Sequence, residues 1–411
     1  MQTQPSRTAA AIAVSSLVGA ALATAPVAGI ADIPRFVAAD RAVDQAIADQ
    51  RLVGAVVLIA QHGRVVHRHV AGLADREAHT PMREDALFLY SSMTKPIVTV
   101  AALRLVEQGR LGLDDPVTRW LPDFRPRTAD GRTPTITLRQ LLSHSAGLDY
   151  EFQQPADGDY QRLGVSSGLD DIAVSLPENL QRLAQAPLAY EPGKAWRYSM
   201  AMDVVGAVIE KASGQSLPDA VKTLVTDPLA MRDARFGVAD AERLATPYGE
   251  PQPSPVRMPA HYTGQIFGNA IRYAPERLHD PKAWPSGGAG MAGTAGDFMR
   301  LAAALSVGGG RILKRETVAE MTRAQVGPEA QTLGPGWGFG FGGAVLADPA
   351  LAGSPQGKGT LLWGGVYGHY WFIDPQRELA VALFTNTAIE GMVGPVTTAL
   401  RDAVYAGLEA R

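Results

Sequence analysis

Apolar residues near the start of the chain recur at two spacings, which predict a helix followed by a β-hairpin. Residues 40–50 carry apolar positions at helical spacing on one face. Residues 53–60 are short and β-branched, which is typical of a strand. A turn at residues 61–63 leads into residues 64–70, which partly alternate. Together the last three segments predict an antiparallel hairpin.

The rest of the chain changes from helical to strand-forming patterns. Residues 96–106 are apolar almost all round, which predicts a buried helix that ends at Gly109. Residues 110–285 carry short helical patterns between loops rich in Pro, Gly and Asp, with few strand signals. Strand patterns return after about residue 335, and residues 391–408 predict a final helix.

Strands at both ends of the chain and helices between them favour an α/β (α+β) architecture. We expect the N- and C-terminal strands to pair in one antiparallel sheet with helices on its faces. The sheet lobe then spans about residues 38–109 and 286–408, and a mainly helical lobe of about residues 110–285 is inserted. The cleft between the lobes is the default place for a site.

The first 31 residues differ from the rest. No charged residue occurs between Arg7 and Asp32, and the intervening run is rich in Ala, Val and Leu and ends in small residues. This pattern predicts a secretory signal peptide and a periplasmic or secreted protein. The alternative is a disordered extension on a cytoplasmic protein. No later apolar run reaches about 18 residues, so we expect no stable membrane insertion.

Composition excludes several kinds of chemistry. The 411 residues include 38 Lys and Arg against 41 Asp and Glu, giving a net charge of −3. Nucleic acid is not an expected partner, because binding phosphates requires a concentrated basic surface. The chain has no cysteine, which excludes disulfides, Cys-ligated metals and a thiol nucleophile. The sequence leaves the oligomeric state open.

Ser92 and Lys95 form the only Ser-x-x-Lys motif in the chain. A spacing of three places both side chains on one face of a helix, about one turn apart. A lysine in that place can take the serine proton if burial lowers the pKa of its amine. The alternative is a serine N-cap followed by a surface lysine. The apolar run after Lys95 argues against this alternative.

Three other patterns resemble functional motifs but lack the required context. Ser166 lies in a G-x-S-x-G pattern without the preceding strand that a nucleophile elbow needs. Residues 288–293 match G-x-G-x-x-G but do not follow a strand, so we expect tight backbone packing there. His67 and His69 share one strand face with no third metal ligand, so we expect a solvated face.

These segments together resemble the serine β-lactamase/penicillin-binding-protein superfamily, with the closest likeness to its family VIII carboxylesterase branch. The resemblance covers about residues 40–407. Besides Ser-x-x-Lys it rests on motifs in a fixed order, which are Leu-Leu-Ser-His-Ser-Ala-Gly-Leu at 141–148, Pro-Gly at 192–193 before Tyr198-Ser199, Ser-Gly-Gly-Ala-Gly-Met at 286–291, Gly-Trp-Gly-Phe-Gly at 336–340 and Trp-Gly-Gly at 363–365. It implies a β-lactamase/transpeptidase-like fold.

The resemblance also implies roles for matching positions. Ser92 matches the acylated nucleophile, Lys95 matches its partner and Tyr198 matches the general base and later proton donor. The backbone N–H groups of Ser92 and Val366 match the oxyanion hole. Tyr150 follows the Ser-His-Ser-Ala-Gly-Leu turn at residues 143–148, which places it near the pocket as a substrate contact. Residues 143–147 themselves are expected to be structural.

Trp363, Gly364 and Gly365 fall where β-lactamases carry Lys-Thr-Gly, on the strand that edges the cleft. The family's Tyr-x-Asn triplet ends in Met200 here. Both departures remove polar groups that would hold a β-lactam, and a less polar pocket suits neutral esters. We therefore expect a serine carboxylesterase that acts on small-molecule, short-chain esters without a cofactor or metal. The alternatives are a β-lactamase or D-alanyl-D-alanine carboxypeptidase, an acyltransferase, and a non-catalytic ligand-binding relative.

Overall fold

The computed structural model of the protein describes residues 34–409. The predicted signal peptide, residues 1–31, lies outside the described residues, so that segment and the location it implies stay predictions. The strands are β1 Gly54–Gln61, β2 Arg64–Asp75, β3 Thr80–Pro81, β4 Leu87–Leu89, β5 Arg235–Phe236, β6 Tyr262–Ile266, β7 Asn269–Tyr273, β8 Met291–Thr294, β9 Trp337–Phe339, β10 Ala344–Leu346, β11 Leu361–Gly365, β12 His369–Asp374 and β13 Leu379–Thr385.

The helices lie before, between and after these strands. They are α1 Val37–Ala48, α2 Thr94–Glu107, α3 Leu138–Leu142, α4 Asp159–Arg162, α5 Leu176–Gln185, α6 Ala201–Ser213, α7 Leu217–Val221, α8 Ala295–Ser306, α9 Arg315–Met321, α10 Pro349–Ala352, α11 Glu390–Val393 and α12 Pro395–Glu409. Among the described residues, none of these helices combines the length and apolar character needed to cross a bilayer.

The main sheet has eight antiparallel strands in the order β3-β2-β1-β13-β12-β11-β10-β9. Its centre joins the two ends of the described chain, because β1 pairs with β13 from Ala55 opposite Thr385 to Gln61 opposite Leu379. The predicted architecture of one antiparallel sheet built from N- and C-terminal strands is therefore confirmed. The fold is β-lactamase/transpeptidase-like.

Both faces of β1 are covered, which explains its continuous apolar sequence. Ala55, Val57 and Ile59 pack in the cluster that includes α1 and α12, whereas Val56 and Leu58 pack in the cluster that includes α2 and α8. Successive residues of a strand point to opposite faces, so the strand needs apolar residues at every position. Each fully buried side chain of this size contributes roughly 1.5–3 kcal/mol.

Two sequence interpretations are corrected by the structure. The middle of the chain contains a hairpin, β6–β7, closed by a two-residue turn in which Phe267 and Gly268 both have positive φ. Its alternation of exposed and buried positions is the strand signal that was missed. The predicted final helix is divided into α11 and α12 at Gly394, because Pro395 begins α12 and cannot donate a backbone hydrogen bond.

The two strand histidines do not form a solvated face. His67 is buried, and its Nε2 lies 2.6 Å from Asp40 Oδ1 on α1. His69 Nε2 lies 2.7 Å from Asp44 Oδ1, one helical turn further along. These contacts attach β2 to α1. Within residues 34–409, no group of three or more His, Asp or Glu side chains is arranged to hold a metal ion.

Gly368 fixes the connection between β11 and β12, where the site described below is built. Its φ is +112°, and a Cβ atom added there would overlap the backbone oxygen of Thr387. Its carbonyl accepts hydrogen bonds from the N–H and Oγ1 of Thr385, 3.1 and 2.8 Å long. A side chain at this position would therefore be strained twice, by the dihedral angle and by the overlap with backbone.

Gly368→Ala should destabilise the protein by about 3 kcal/mol or more, since strain at a special dihedral is combined with a clash that no rotamer relieves. Gly109→Ala is the matched control. It has a φ of +69° with no atom within 4 Å of the added Cβ, so only the dihedral cost of about 1 kcal/mol applies. Urea unfolding followed by circular dichroism measures both. Equal losses would contradict the overlap argument.

Candidate active site

Ser92 lies in a tight 3-10 turn, Ser91–Met93, that leads from β4 into α2. The residue before it, Ser91, has a φ of +44°, which is unfavourable for a residue with a side chain. The turn is held because Tyr90 is completely buried and donates its hydroxyl to Thr294 O at 2.6 Å. Ser92 itself is half-buried and lines a cavity.

Lys95 lies one helical turn beyond Ser92 and is 1% exposed. Its Nζ donates to Ser92 Oγ at 3.2 Å and to Gly288 O at 2.8 Å. The same atom lies 4.7 Å from the ring centre of Tyr198 and 5.4 Å from that of Tyr150. The surface-lysine alternative is therefore excluded, because Lys95 is buried and directed at the serine.

Tyr198 approaches Ser92 from a separate segment, just before α6. Its hydroxyl donates to Ser92 Oγ at 2.8 Å, and Trp363 Nε1 on β11 donates to the Tyr198 oxygen at 3.3 Å. Ser92 Oγ thus lies within hydrogen-bond distance of both a phenol and an amine. The structure brings together the three residues that the sequence singled out, across 106 positions of the chain.

His144 supports Tyr198 without contacting Ser92. Its ring centre lies 4.8 Å from that of Tyr198, and its Nδ1 accepts the Ser199 N–H at 3.2 Å. Complete burial, followed by the nearby charge of Lys95, holds the pKa of His144 well below its usual value. A neutral imidazole with Nδ1 as acceptor therefore fixes the backbone next to Tyr198.

The predicted oxyanion group Val366 lines the cavity, but its N–H is engaged. It donates to the buried hydroxyl of Ser91 at 2.9 Å. Gly364 also lines the cavity. Gly365 does not line it. This residue packs on the segment before the nucleophile, where an added Cβ would lie 2.6 Å from Tyr90 O.

The cavity above Ser92 has a volume of about 310 Å³ and a mainly apolar lining. Tyr150 and Trp363 line it, as predicted, whereas Met200 is buried away from it. Several lining residues were missed by the sequence analysis; they include Phe152, Trp196, Ile266, Phe267, Asn269, Ile271, Leu333 and Met392. Four of the missed residues come from the β6–β7 hairpin, whose alternation was the available signal. No lysine or arginine of the described chain lines the cavity.

The two motif-like glycine segments have no catalytic geometry in the structure. Ser166 is completely buried, and its hydroxyl donates to Asp170 Oδ1 at 2.7 Å. No strand precedes it and no helix follows it directly. The 288–293 segment leads from a turn into β8, and its contribution to the site is the Gly288 carbonyl that accepts from Lys95.

The eight-stranded antiparallel sheet and its covering helices form a β-lactamase/transpeptidase-like fold, and comparison with known proteins agrees. Residues 39–406 match the Beta-lactamase family, so the chain belongs to that family.

Comparison with individual proteins shows which members of the family this chain is similar to. Esterase EstB of Burkholderia gladioli is 54% identical over 371 residues, covering 89% of this chain and 94% of EstB. The solved structure of EstCE1, described as a hydrolase with promiscuous acyltransferase activity, superimposes with a TM-score of 0.88 at 49% identity, covering 90% and 98% of the two chains. A LovD6 mutant of simvastatin synthase from Aspergillus terreus has a TM-score of 0.73 at 21% identity over 92% and 96% of the chains, and it supports the fold alone.

A fluorophosphonate should label one serine, Ser92, because this hydroxyl combines exposure to the cavity with a phenol and an amine in hydrogen-bond contact. Intact mass should show one adduct, and peptide mapping should place it on Ser92. Ser92→Ala should abolish labelling. Ser166→Ala is the control and should leave labelling unchanged. An adduct on Ser166, or one that survives in Ser92→Ala, would refute this assignment.

Proposed function

We propose that the protein is a serine carboxylesterase in which Ser92, Lys95 and Tyr198 form the catalytic group. The observation that carries the proposal is the position of Ser92 Oγ, 2.8 Å from the Tyr198 hydroxyl and 3.2 Å from Lys95 Nζ at the base of an apolar cavity. Ester hydrolysis is supported by the 54% identity to a protein named Esterase EstB.

The Tyr198 phenol, which donates to Ser92 in the resting site, first loses its proton to solvent. In the first half-reaction, the Tyr198 phenolate takes the proton of Ser92 as Oγ attacks the ester carbonyl. The Lys95 ammonium close beside Tyr198 stabilises negative charge on the phenolic oxygen. When the tetrahedral intermediate collapses, the bond to the alcohol breaks and Tyr198 returns the proton to the departing oxygen. The acyl group is left on Ser92. A water molecule then attacks the acyl carbon with Tyr198 as base, and the proton passes back to Ser92.

The oxyanion is held by the backbone N–H groups of Ser92 and Val366. In the resting site the Val366 N–H donates to Ser91 Oγ. The substrate carbonyl oxygen therefore replaces one neutral acceptor with another that becomes negatively charged during the reaction. Because hydrogen bonds to charged acceptors are stronger, the exchange favours the transition state over the bound substrate.

The substrate class follows from the charge of the cavity. An anionic substrate placed there would lose water without gaining a cation, since no basic side chain among residues 34–409 lines the cavity. A neutral ester carries no such cost. Trp363, at the position where β-lactamases have a lysine, offers an apolar face and one N–H, which is already directed at Tyr198. We therefore infer a preference for uncharged short-chain esters, and no proposed step uses a metal or cofactor.

Acyl transfer to an alcohol is a second candidate function. It is favoured by the structural likeness to EstCE1, which is described as having promiscuous acyltransferase activity. A cavity of about 310 Å³ leaves room for an alcohol beside a short acyl group. Product analysis of a vinyl ester with and without added alcohol separates transfer from hydrolysis.

Tyr198→Phe should lower kcat for p-nitrophenyl butyrate by about 10²–10⁴-fold with little change in KM, because it removes the proton acceptor and keeps the ring. Tyr405→Phe is the matched control. Tyr405 is a buried tyrosine on α12, in the apolar cluster that includes α1. Its hydroxyl donates to Asp374 Oδ2. It should retain wild-type kcat per folded molecule. A Tyr198→Phe enzyme with near-wild-type kcat would remove Tyr198 from the mechanism.

The wild-type protein should hydrolyse p-nitrophenyl butyrate with a far higher kcat/KM than nitrocefin, whose carboxylate finds no cation in the cavity. Trp363→Lys should lose neutral-ester activity by about tenfold or more, because an ammonium enters the apolar pocket. Trp363→Phe should retain more activity, since it preserves an apolar ring. Steady-state kinetics on both substrates provide the measurement. Nitrocefin opening as efficient as ester hydrolysis would replace the esterase proposal by a β-lactamase.

A further inference from the structure

Asp203 is a carboxylate placed inside an apolar helix. It lies in the first turn of α6 and is 1% exposed, with buried apolar neighbours on either side. One oxygen, Oδ1, accepts the Ser286 hydroxyl at 2.6 Å and the Gly288 N–H at 3.3 Å. The other oxygen, Oδ2, is buried and has no hydrogen-bond partner among the described residues. A half-satisfied buried carboxylate is costly, so its presence requires an explanation.

The free oxygen faces the catalytic lysine across Gly288. A Cβ atom added to Gly288 would lie 3.0 Å from Asp203 Oδ2, 3.2 Å from the Tyr150 hydroxyl and 3.3 Å from Lys95 Nζ. Three polar atoms from separate segments therefore surround one point that is left open by the absence of a side chain. Asp203 and Lys95 are too far apart for direct contact but close enough for a strong interaction in a site without bulk water.

The charges of these two groups are mutually dependent. Burial raises the pKa of Asp203 above its usual value, and the Ser286 hydrogen bond and the Lys95 charge offset part of that rise. Other groups near the pair add little negative charge. Burial raises the pKa of Tyr150 well above its usual range, and His144 is held neutral. The Arg277 guanidinium, which donates to Gly168 O and Trp284 O, is a more remote cation.

We propose that Asp203 is a positioning residue for catalysis, the buried counter-charge that holds the Lys95 ammonium beside Ser92 and Tyr198. This inference rests on the proposed function. Lys95 donates to Ser92 Oγ and Gly288 O, neither of which carries a full negative charge. Asp203 supplies that charge from the Gly288 side of Lys95. It therefore stabilises the ammonium without competing for the hydrogen bond between Lys95 and Ser92. Gly288 keeps the space between them free.

The test is Asp203→Asn in the full-length protein, which keeps the size and an acceptor for Ser286 but removes the charge. We expect kcat per active site, counted by fluorophosphonate titration, to fall about 10–100-fold with KM within about threefold. Removal of a negative charge disfavours the protonated form of every nearby group. Both limbs of the pH profile of kcat/KM should therefore move to lower pH, a shift that a purely structural role would not produce.

Two further variants keep the proposal testable. Asp170→Asn removes another buried carboxylate, which bonds Ser166 and Ser167 away from the site, and should leave kcat per active site and both pH limbs unchanged. Gly288→Ala inserts a methyl group between the three polar atoms and should also lower kcat. This variant tests the proposal if Asp203→Asn does not fold.

Wild-type kcat per active site and unmoved pH limbs in a folded Asp203→Asn, or wild-type kcat in Gly288→Ala, would overturn the proposal. Absence of any Ser92-dependent ester hydrolysis in the wild type would instead refute the proposed function.

Discussion

The burial of one lysine is the constraint on which the site depends. Lys95 is 1% exposed, and placing an ammonium out of water costs several kcal/mol unless partners compensate. Its partners come from distant parts of the chain, namely the Gly288 carbonyl before β8 and the ring of Tyr198 before α6. The same contacts that offset the cost of burying Lys95 therefore also bring the Tyr198 phenol close to Ser92.

The sheet supplies the rigidity that this arrangement needs. β1 and β13 join the two ends of the described chain at the sheet centre, and β11 lies two strands from β13. The turn after β11 is fixed by Gly368 and places Val366 against Ser91. A buried hydrogen bond therefore holds this turn to the turn that carries Ser92. A positive φ at Ser91 is maintained only because the surrounding structure over-determines it. Strain at Ser91, next to Ser92, is thus compensated by packing that belongs to the core.

The sequence alone predicted the parts of the site that depend on local spacing. Ser92 and Lys95 share a helix face because they are three residues apart, and their partnership follows from that geometry. Tyr198 could be selected only through the family resemblance, since nothing in its local pattern distinguishes it from a core tyrosine. The β6–β7 hairpin was missed because it lies among loops, and Asp203 because a single carboxylate does not change the apolar pattern of its helix. The hairpin did have a local signal in its alternation, whereas the contacts of Asp203 with distant segments leave no mark on the local pattern.

Among the described residues of the site, charged side chains lie on one side of Ser92 only, and this asymmetry bears on which substrates the cavity can accept. Below Ser92, Lys95 and Asp203 are buried as a pair, whereas the cavity above it is lined without lysine or arginine in the part of the chain that the structure describes. In the proposed mechanism, positive charge is therefore available to Tyr198 but not to the remote parts of a bound molecule. A carboxylate on the substrate would be desolvated without compensation, and a neutral ester develops negative charge only at its carbonyl oxygen, next to backbone N–H groups. On this proposal, the apolar lining selects the substrate by disfavouring charged groups, while the buried Lys95 and Asp203 act only on the chemical step.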